Sequence, residues 1–186
     1  GKHGAPIVFN YIGRVMRDKR VDDYIEAAKR IKERYPQTEF NILGFIEPTE
    51  MHYNAELTKL MKDNIVIYRG NQKDVKPFIA RSHCTIHPST YGEGMSNVLL
   101  ESASSGRFLI TTNNPGCQET LEDGKTGYVY KGGSVNALVV AIERFLLLPN
   151  EVRQKMGEAG RNRVKSRFSR EFVVKAYKEK INELLK

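Results

Sequence analysis

The sequence is poor in cysteine, has no tryptophan and contains no long apolar run. Its 186 residues include two cysteines, Cys84 and Cys117, which are too few for a disulfide framework and lack the spacing of a zinc site. No apolar stretch approaches the roughly 18 residues that a membrane-spanning helix needs, and no signal peptide opens the chain. We therefore expect a protein of a reducing, cytoplasmic compartment. Because the chain begins at Gly1 rather than Met, we expect a fragment of a longer protein.

The positive charge is unevenly distributed. The net charge is +8, with 19 basic and 17 acidic residues in positions 1–150 but 11 basic and 5 acidic residues in positions 151–186. The surplus therefore belongs mostly to the C-terminal segment. It indicates an anionic partner, but charge alone names neither nucleic acid nor lipid nor phosphate.

Short apolar runs alternate with amphipathic segments along most of the chain. Strands are predicted at residues 7–12, 40–43, 65–68, 84–87, 108–111 and 127–130, and helices at 22–35, 50–62, 75–81, 96–105, 135–148, 151–167 and 170–185. Strands separated by helices pair in parallel through crossover connections. The predicted fold is an α/β, Rossmann-like, doubly wound parallel sheet of about six strands with extra C-terminal helices. Ligands of such sheets bind beyond the carboxyl ends of the strands.

The loop after the first predicted strand is basic. It reads Gly13-Arg14-Val15-Met16-Arg17-Asp18-Lys19-Arg20 and matches neither a dinucleotide-binding glycine motif nor a P-loop. Arg14 and Lys19 suit a diphosphate, since arginine offers a planar fork of donors and lysine a point charge. The alternative is a solvated basic loop without a ligand.

The loop after the fourth predicted strand carries two carboxylates around a helix start. Gly92 and Gly94 flank Glu93, and the helix that starts near Ser96 carries Glu101. A helix N-terminus binds anions, and carboxylates accept hydrogen bonds from hydroxyl groups. The order fits a sugar nucleotide, with the hexose at Glu93, the diphosphate at the helix end and the ribose at Glu101. The alternative is that both glutamates are solvated surface residues.

The loop after the fifth predicted strand completes a recognisable pattern. It reads PGCQETLEDGKTGYV and includes Glu119; Cys117 is more consistent with a small buried thiol than with a nucleophile. With Gly13, Arg14 and Lys19, and with Glu93 and Glu101 spaced as E-x7-E, the chain resembles the C-terminal, nucleotide-sugar-binding domain of retaining glycosyltransferases of the GT-B fold, specifically glycosyltransferase family 4 (group 1). The resemblance covers nearly the whole chain and is strongest to enzymes that build bacterial capsule, O-antigen or lipid-linked oligosaccharides.

The resemblance implies a role for each matching residue. Arg14 and Lys19 would contact the donor diphosphate and stabilise the leaving group, Glu93 would bind the donor sugar, and Glu101 would hold the ribose. The resemblance also places seven other residues at the donor: Gly13, Arg69, Gly94, Met95, Ser96, Asn97 and Val98. It places the nucleotide base near the end of the third strand, around Tyr68, Arg69 and Gly70. The chain departs from the family pattern at Arg20, which often is glycine, and at Gly44-Phe45-Ile46-Glu47, where a more glycine-rich turn is usual.

The resemblance also implies a mechanism and a second domain that lies outside residues 1–186. The chain has no D-x-D triplet, so a metal ion bridging the diphosphate is not indicated; we predict no metal site and no cofactor beyond the donor substrate, for which a UDP-sugar is favoured. Because a GT-B enzyme also has an N-terminal acceptor domain of similar size, residues 1–186 are predicted to be the donor half alone. We expect this half to transfer little sugar alone and to reach a saccharide or lipid-linked acceptor through the missing domain.

Two other functions remain open from the sequence. A nucleotide-sugar epimerase of related fold would need acid and base residues at the sugar, for which His83 and His87 are the candidates. A non-enzymatic module that binds anionic surfaces is suggested by residues 161–170, of which five are basic. Because aromatic residues are not interleaved there, we predict no nucleic-acid binding and consider peripheral contact with an anionic membrane at the inner face instead.

Overall fold

Six parallel strands form one sheet in the structure, a computed structural model that describes residues 4–92, 94–167 and 170–185. The strands are β1 (Ile7–Ile12), β2 (Thr38–Leu43), β3 (Ile67–Gly70), β4 (Cys84–His87), β5 (Phe108–Thr112) and β6 (Gly127–Tyr130), in the order β3-β2-β1-β4-β5-β6. Every pair of neighbours is parallel. The predicted α/β, Rossmann-like, doubly wound sheet is confirmed, and the strand order reverses between β1 and β4.

Helices cover both faces of the sheet. They are α1 (Val21–Arg34), α2 (Tyr53–Lys62), α3 (Lys76–Arg81), α4 (Asn97–Ser104), α5 (Val135–Leu147), α6 (Asn150–Arg167) and α7 (Arg170–Leu184). Phe108 and Ile110 share a buried cluster with α1, α2 and α5, whereas Leu109 between them packs with α4 and α6. Because successive strand residues point to opposite faces, these are the two helical layers.

Aromatic rings fill the larger layer of the core. Phe9 of β1 stacks on Phe40 of β2 with ring centroids 4.8 Å apart, and Phe145 of α5 meets Phe9 edge-on at 5.5 Å. All three side chains are buried. Each such ring stabilises the fold by about 1.5–3 kcal/mol through removal of apolar surface from water. The packed layer holds the strand ends, and the loops that leave them, at fixed positions.

Several predicted boundaries differ from the structure by one to three residues, and two of them have a local cause. The third strand was expected at residues 65–68, but Ile65 N–H donates to Leu60 O at 2.9 Å and Asn64 has a left-handed φ of 56°. These residues close the C-terminus of α2, so β3 starts two residues later. The helix expected at 50–62 begins at Tyr53, after a separate 3-10 turn that starts at Pro48.

The C-terminal helices lie outside the sheet, as predicted. α6 packs against α4 and β5, and Val164 is buried with Leu109. On α7, Val174, Tyr177 and Ile181 follow one another at helical spacing and are exposed. Within the described residues, no helix has the length and apolar character needed to cross a membrane.

Candidate functional site

The loops that follow β1 and β4 face each other across the point where the strand order reverses. At such a point the loops diverge to opposite faces of the sheet and leave a crevice between them, which is where doubly wound sheets bind ligands. Residues 13–20 form one wall and residues 88–92 and 94–96 belong to the other. The crevice therefore brings together the two loops that the sequence singled out.

The first wall is held by backbone pairing that continues beyond the strands. Gly13 N–H donates to Leu43 O at 2.9 Å, and Val15 N–H donates to Phe45 O at 2.8 Å. Gly44 has a φ of +149°, and a Cβ atom placed on it would lie 1.7 Å from Gly13 O. Only glycine fits there, because the two loops touch through their backbones. This contact fixes the position of Arg14.

Arg14 and Lys19 are both at the crevice and both have neighbours. Arg14 Nη1 lies 3.7 Å from Glu47 Oε2, with the arginine side chain 44% exposed, and Tyr11 Oη donates to Arg14 O at 2.6 Å. Lys19 Nζ lies 5.0 Å from the ring centroid of Tyr91, in the loop after β4. Lys19 thus connects the two walls, and an anion in the crevice would lie beside its charge.

Arg20 stabilises the first wall of the crevice through bonds to α1 and to the loop after β6. Its φ of 57° is left-handed, the conformation that glycine adopts most easily, which fits the family preference for glycine at this position. Its guanidinium donates to both oxygens of Asp23, at 2.7 and 3.3 Å, and this pairing raises the pKa of Arg20. A further bond to Gly133 O at 3.5 Å ties the loop after β1 to the loop after β6. Arg20 therefore positions the loop.

The N-terminus of α4 supplies backbone donors to the other wall. Ser96 is the N-cap, and its Oγ accepts from Leu99 N–H at 3.4 Å, while Leu100 N–H donates to Ser96 O at 3.1 Å. Within the described residues, the amides of Asn97 and Val98 have no acceptor, as expected for a first turn. Val98 packs against Ile12 and Leu43, so these amides lie at the ends of β1 and β2.

The remaining predicted residues belong to the loop after β4 and to α4. Gly94, Met95 and Glu101 are exposed, and Glu101 lies four residues into α4, about 6 Å along its axis from Asn97. Glu93 lies outside the described residues, so its predicted contact with the donor sugar stays a prediction.

Arg69 is turned away from the centre of the crevice. It lies at a register irregularity between β2 and β3, where its Nε donates to Asn41 Oδ1 at 2.9 Å and its Nη2 lies 3.4 Å from Glu39 Oε1. The guanidinium therefore runs back along β2. At the end of β3, Tyr68 Oη donates to Gly44 O at 2.7 Å and braces the loop after β2.

The loop after β5 completes the rim. Glu119 Oε2 accepts from Gly116 N–H at 2.7 Å and holds the Pro-Gly turn, and Asn114 Nδ2 donates to Tyr91 O at 2.7 Å. Cys117 is fully buried, which confirms the predicted structural thiol. Tyr91 and Glu47 were missed by the sequence reasoning. The aromatic ring of Tyr91 beside the glycines was the available signal, whereas Glu47 was noted only within the unusual turn at residues 44–47, with nothing to mark it as a neighbour of Arg14.

The two histidines of the epimerase alternative do not meet at the crevice. His87 ends β4 near the crevice, with 7% of its surface exposed. His83 lies just before β4, at the opposite end of that strand, where its Nδ1 accepts from Val8 N–H at 3.0 Å. Among the described residues, no three His, Cys, Asp or Glu side chains are placed to hold a metal ion.

Solved structures share this architecture. HepE from Anabaena in complex with UDP superposes with a TM-score of 0.82 at 21% identity, covering 98% of this chain and 49% of that one. The C-terminal domain of a group 1 glycosyl transferase, LpcC from Francisella tularensis, superposes with a TM-score of 0.79 at 20% identity, covering 88% of this chain and 87% of that one. At these identities the likeness shows the fold.

Sequence comparison identifies the family. The chain is 26% identical to the capsular polysaccharide biosynthesis glycosyltransferase CapM of Staphylococcus aureus, over 96% of this chain and 47% of the relative. It is 30% identical to the lipopolysaccharide core biosynthesis glycosyltransferase LpsE of Rhizobium meliloti, over 93% of this chain and 48% of the relative. The chain thus spans about half the length of these curated relatives. Since the model of the family matches residues 1–163, the chain belongs to the glycosyl transferases group 1.

Proposed function

We propose that the chain binds a nucleoside-diphosphate sugar, with a UDP-sugar favoured, in the crevice between the loops after β1 and β4. The observation that carries the proposal is the 5.0 Å approach of Lys19 Nζ to the Tyr91 ring across the strand-order reversal, at the same end of the sheet as the first turn of α4. HepE, which shares the fold, has been solved with UDP and with UDP-glucose, and this supports the choice of nucleotide.

Each part of the ligand has a matching group. The diphosphate lies at the N-terminus of α4, where the helix dipole and the amides of Asn97 and Val98, which have no acceptor among the described residues, favour negative charge. Lys19 adds a full charge, and Arg14 exchanges its long 3.7 Å contact with Glu47 for the phosphate. Glu101 accepts hydrogen bonds from the ribose hydroxyls, and Glu93 from the hydroxyls of the sugar.

The reaction that this site supports is transfer of a hexose with loss of the nucleoside diphosphate. The bond from the anomeric carbon to the diphosphate oxygen breaks, and the electron pair stays on the phosphate. The acceptor hydroxyl oxygen forms the new bond to that carbon, and its proton passes to the departing diphosphate. Lys19, Arg14 and the amides of α4 neutralise that charge without reorganisation, which lowers the barrier. The proposal includes retention of anomeric configuration and independence of metal ions, as in glycosyltransferase family 4. Transfer that persists in excess chelator supports the second point, and loss that Mg²⁺ or Mn²⁺ reverses contradicts it.

The acceptor belongs to the other half of the enzyme. Because the chain spans about half of CapM and LpsE, we assign acceptor binding to a preceding domain and expect the complete enzyme to act on a saccharide or lipid-linked acceptor in bacterial polysaccharide synthesis. We place this reaction in the cytoplasm. Transfer assayed with residues 1–186 alone should be far below that of the longer enzyme, and comparable rates would contradict the assignment.

Peripheral contact with an anionic membrane forms part of the proposal. Arg161, Lys165 and Arg167 are exposed basic residues of α6, and such clusters are attracted to anionic headgroups. Sedimentation with phosphatidylglycerol vesicles should carry the protein down at low salt and release it at high salt. Equal recovery with neutral phosphatidylcholine vesicles would contradict the contact.

The decisive test of the site uses variants of the longer enzyme. Lys19→Ala and Glu93→Ala should each reduce kcat/KM for transfer by about 100-fold or more, the usual cost of removing a charged group from a transition state. Arg17→Ala is the matched control, because Arg17 is an exposed cation of the same loop. Near-normal transfer by both site variants would refute the assignment.

A further inference from the structure

A second polar cavity lies at the amino ends of the strands, at the opposite end of the sheet from the crevice between β1 and β4. It has a volume of about 250 Å³ and is bounded by the residue before β4, the turn into β5 and the first turn of α6. Its basic side chains are His83, Arg107 and Arg153. The amino ends of the strands point here, so no part of the crevice between β1 and β4 contributes to it. Nothing in the proposed transfer reaction uses these three residues.

The cavity wall is rigid where α6 crosses the turn into β5. A Cβ atom on Gly157 would lie 2.1 Å from Gly106 O, so the helix backbone and the turn are in direct contact. Phe145 closes one side, and the Arg153 guanidinium lies 5.2 Å from its ring centroid. Arg107 is anchored by a bond from its Nη1 to Ser82 O at 3.0 Å. The Arg107 guanidinium is therefore anchored by a hydrogen bond, whereas the Arg153 guanidinium is positioned by its packing on Phe145.

The two guanidiniums carry donors that the protein leaves unused. Within the described residues, Arg107 Nε, Arg153 Nε and Arg153 Nη1 are buried and have no hydrogen-bond acceptor. A buried donor without a partner costs about 1–3 kcal/mol. His83 accepts from Val8 N–H through Nδ1, so in the neutral ring the proton is on Nε2, which is then a further donor.

Among the residues that the structure describes, no carboxylate lines the cavity to balance these cations. Its remaining polar side chains are Asn150 and Gln154. The nearby Glu151 is paired with Lys155 at 3.0 Å, on the exposed side of α6. Burial and the charges of Arg153 and Arg107 lower the pKa of His83, and burial lowers the pKa of Arg153. The cavity is therefore a region of uncompensated positive potential.

We propose that this cavity is a binding site for a small phosphate-class anion, either inorganic phosphate or a small phosphomonoester. Arg107 and Arg153 grip the phosphate oxygens with charge-assisted hydrogen bonds, and His83 Nε2–H donates a further one. The start of α6 adds the positive end of its dipole. The volume is the equivalent of about eight waters at roughly 30 Å³ each, below the usual range for larger organic ligands, which favours a small anion over a nucleotide sugar.

The test is an NMR titration of the isotopically labelled chain with inorganic phosphate, with chloride added to keep the ionic strength constant. Saturable shifts are expected at the amides of His83, Gly106 and Phe108 and at the Nε–H groups of Arg107 and Arg153. A second titration with glycerol 3-phosphate distinguishes inorganic phosphate from a phosphomonoester, because the compound with the lower Kd is the better model of the ligand. Shifts confined to the amides of Gly13 and Val98, or shifts that never saturate, would overturn the proposal.

Variants separate a binding site from general attraction to a basic protein. Arg153→Met keeps an apolar stem against Phe145 and removes the charge, and it should weaken phosphate binding by about 10- to 100-fold, the equivalent of one charged hydrogen-bonding group. Lys178→Gln, which removes a positive charge from an exposed position of α7, should leave the affinity unchanged. Urea unfolding without phosphate verifies that Arg153→Met is folded. Equal losses in both variants would show a diffuse charge effect and refute the site.

Discussion

The substitution Gly44→Ala tests how tightly the first wall of the crevice is built. The new Cβ would lie 1.7 Å from Gly13 O, where ordinary contact begins at 3.4 Å, so the two loop backbones must separate by about half that ordinary distance. Alanine also disfavours a φ of +149°. Strain of about 1–3 kcal/mol and the loss of one buried backbone hydrogen bond, such as Gly13 N–H to Leu43 O, together predict destabilisation of about 3–5 kcal/mol.

Gly70→Ala is the matched control for this experiment. Gly70 has a φ of +71°, but a Cβ on it would meet no atom within 4 Å. It therefore carries the conformational penalty alone, about 1–2 kcal/mol. Urea unfolding followed by circular dichroism measures both variants, and Gly44→Ala should also weaken UDP binding because it displaces Arg14. Equal free energies of unfolding for the two variants would refute the close backbone contact.

Three smaller changes test other parts of the structure. Ser96→Ala removes the N-cap of α4 and should lower the free energy of unfolding by about 1 kcal/mol, whereas Ser104→Ala at the far end of the helix should cost less. In the folded protein the pKa of His83 is lowered from its ordinary value of 6.5. As the pH drops below about 6.5, His83 therefore takes up a proton more readily in the unfolded chain than in the folded one, and the free energy of unfolding should fall. His83→Gln should flatten that fall in urea titrations, and an unchanged pH profile would contradict the burial of His83. Glu101→Gln should weaken UDP binding measured by calorimetry while leaving stability unchanged, because Glu101 is exposed.

The fold could be predicted from the sequence because its signals are local and repeated. Six apolar runs separated by amphipathic segments indicate parallel strands with crossovers, and β1, β4 and β6 have the predicted bounds. The start of β3 was misplaced because Ile65 is apolar like a strand residue but closes α2 through a backbone bond to Leu60. A left-handed asparagine at position 64 sets that boundary, and asparagine is only one of several residues that tolerate it.

The crevice could be predicted from motifs, but its supporting contacts could not. Loop position and residue type indicated Lys19, Ser96 and the helix start. The pairing of Arg14 with Glu47 joins residues 33 positions apart, across two loops whose approach depends on Gly44. The direction of Arg69 depends on a register irregularity in the sheet. Such features arise from tertiary packing and leave no periodic pattern in the sequence.

The most direct measurement of the central claim is calorimetric titration of the chain with UDP, paired with amide shift mapping by NMR. Binding should saturate, with shifts at Gly13, Asn97 and Val98, and Lys19→Ala should bind UDP about tenfold more weakly because it loses one charge-assisted contact. Arg17→Ala should bind like the unaltered protein. Absence of binding, shifts that avoid the crevice between the loops after β1 and β4, or equal weakening by the two substitutions would contradict the central claim.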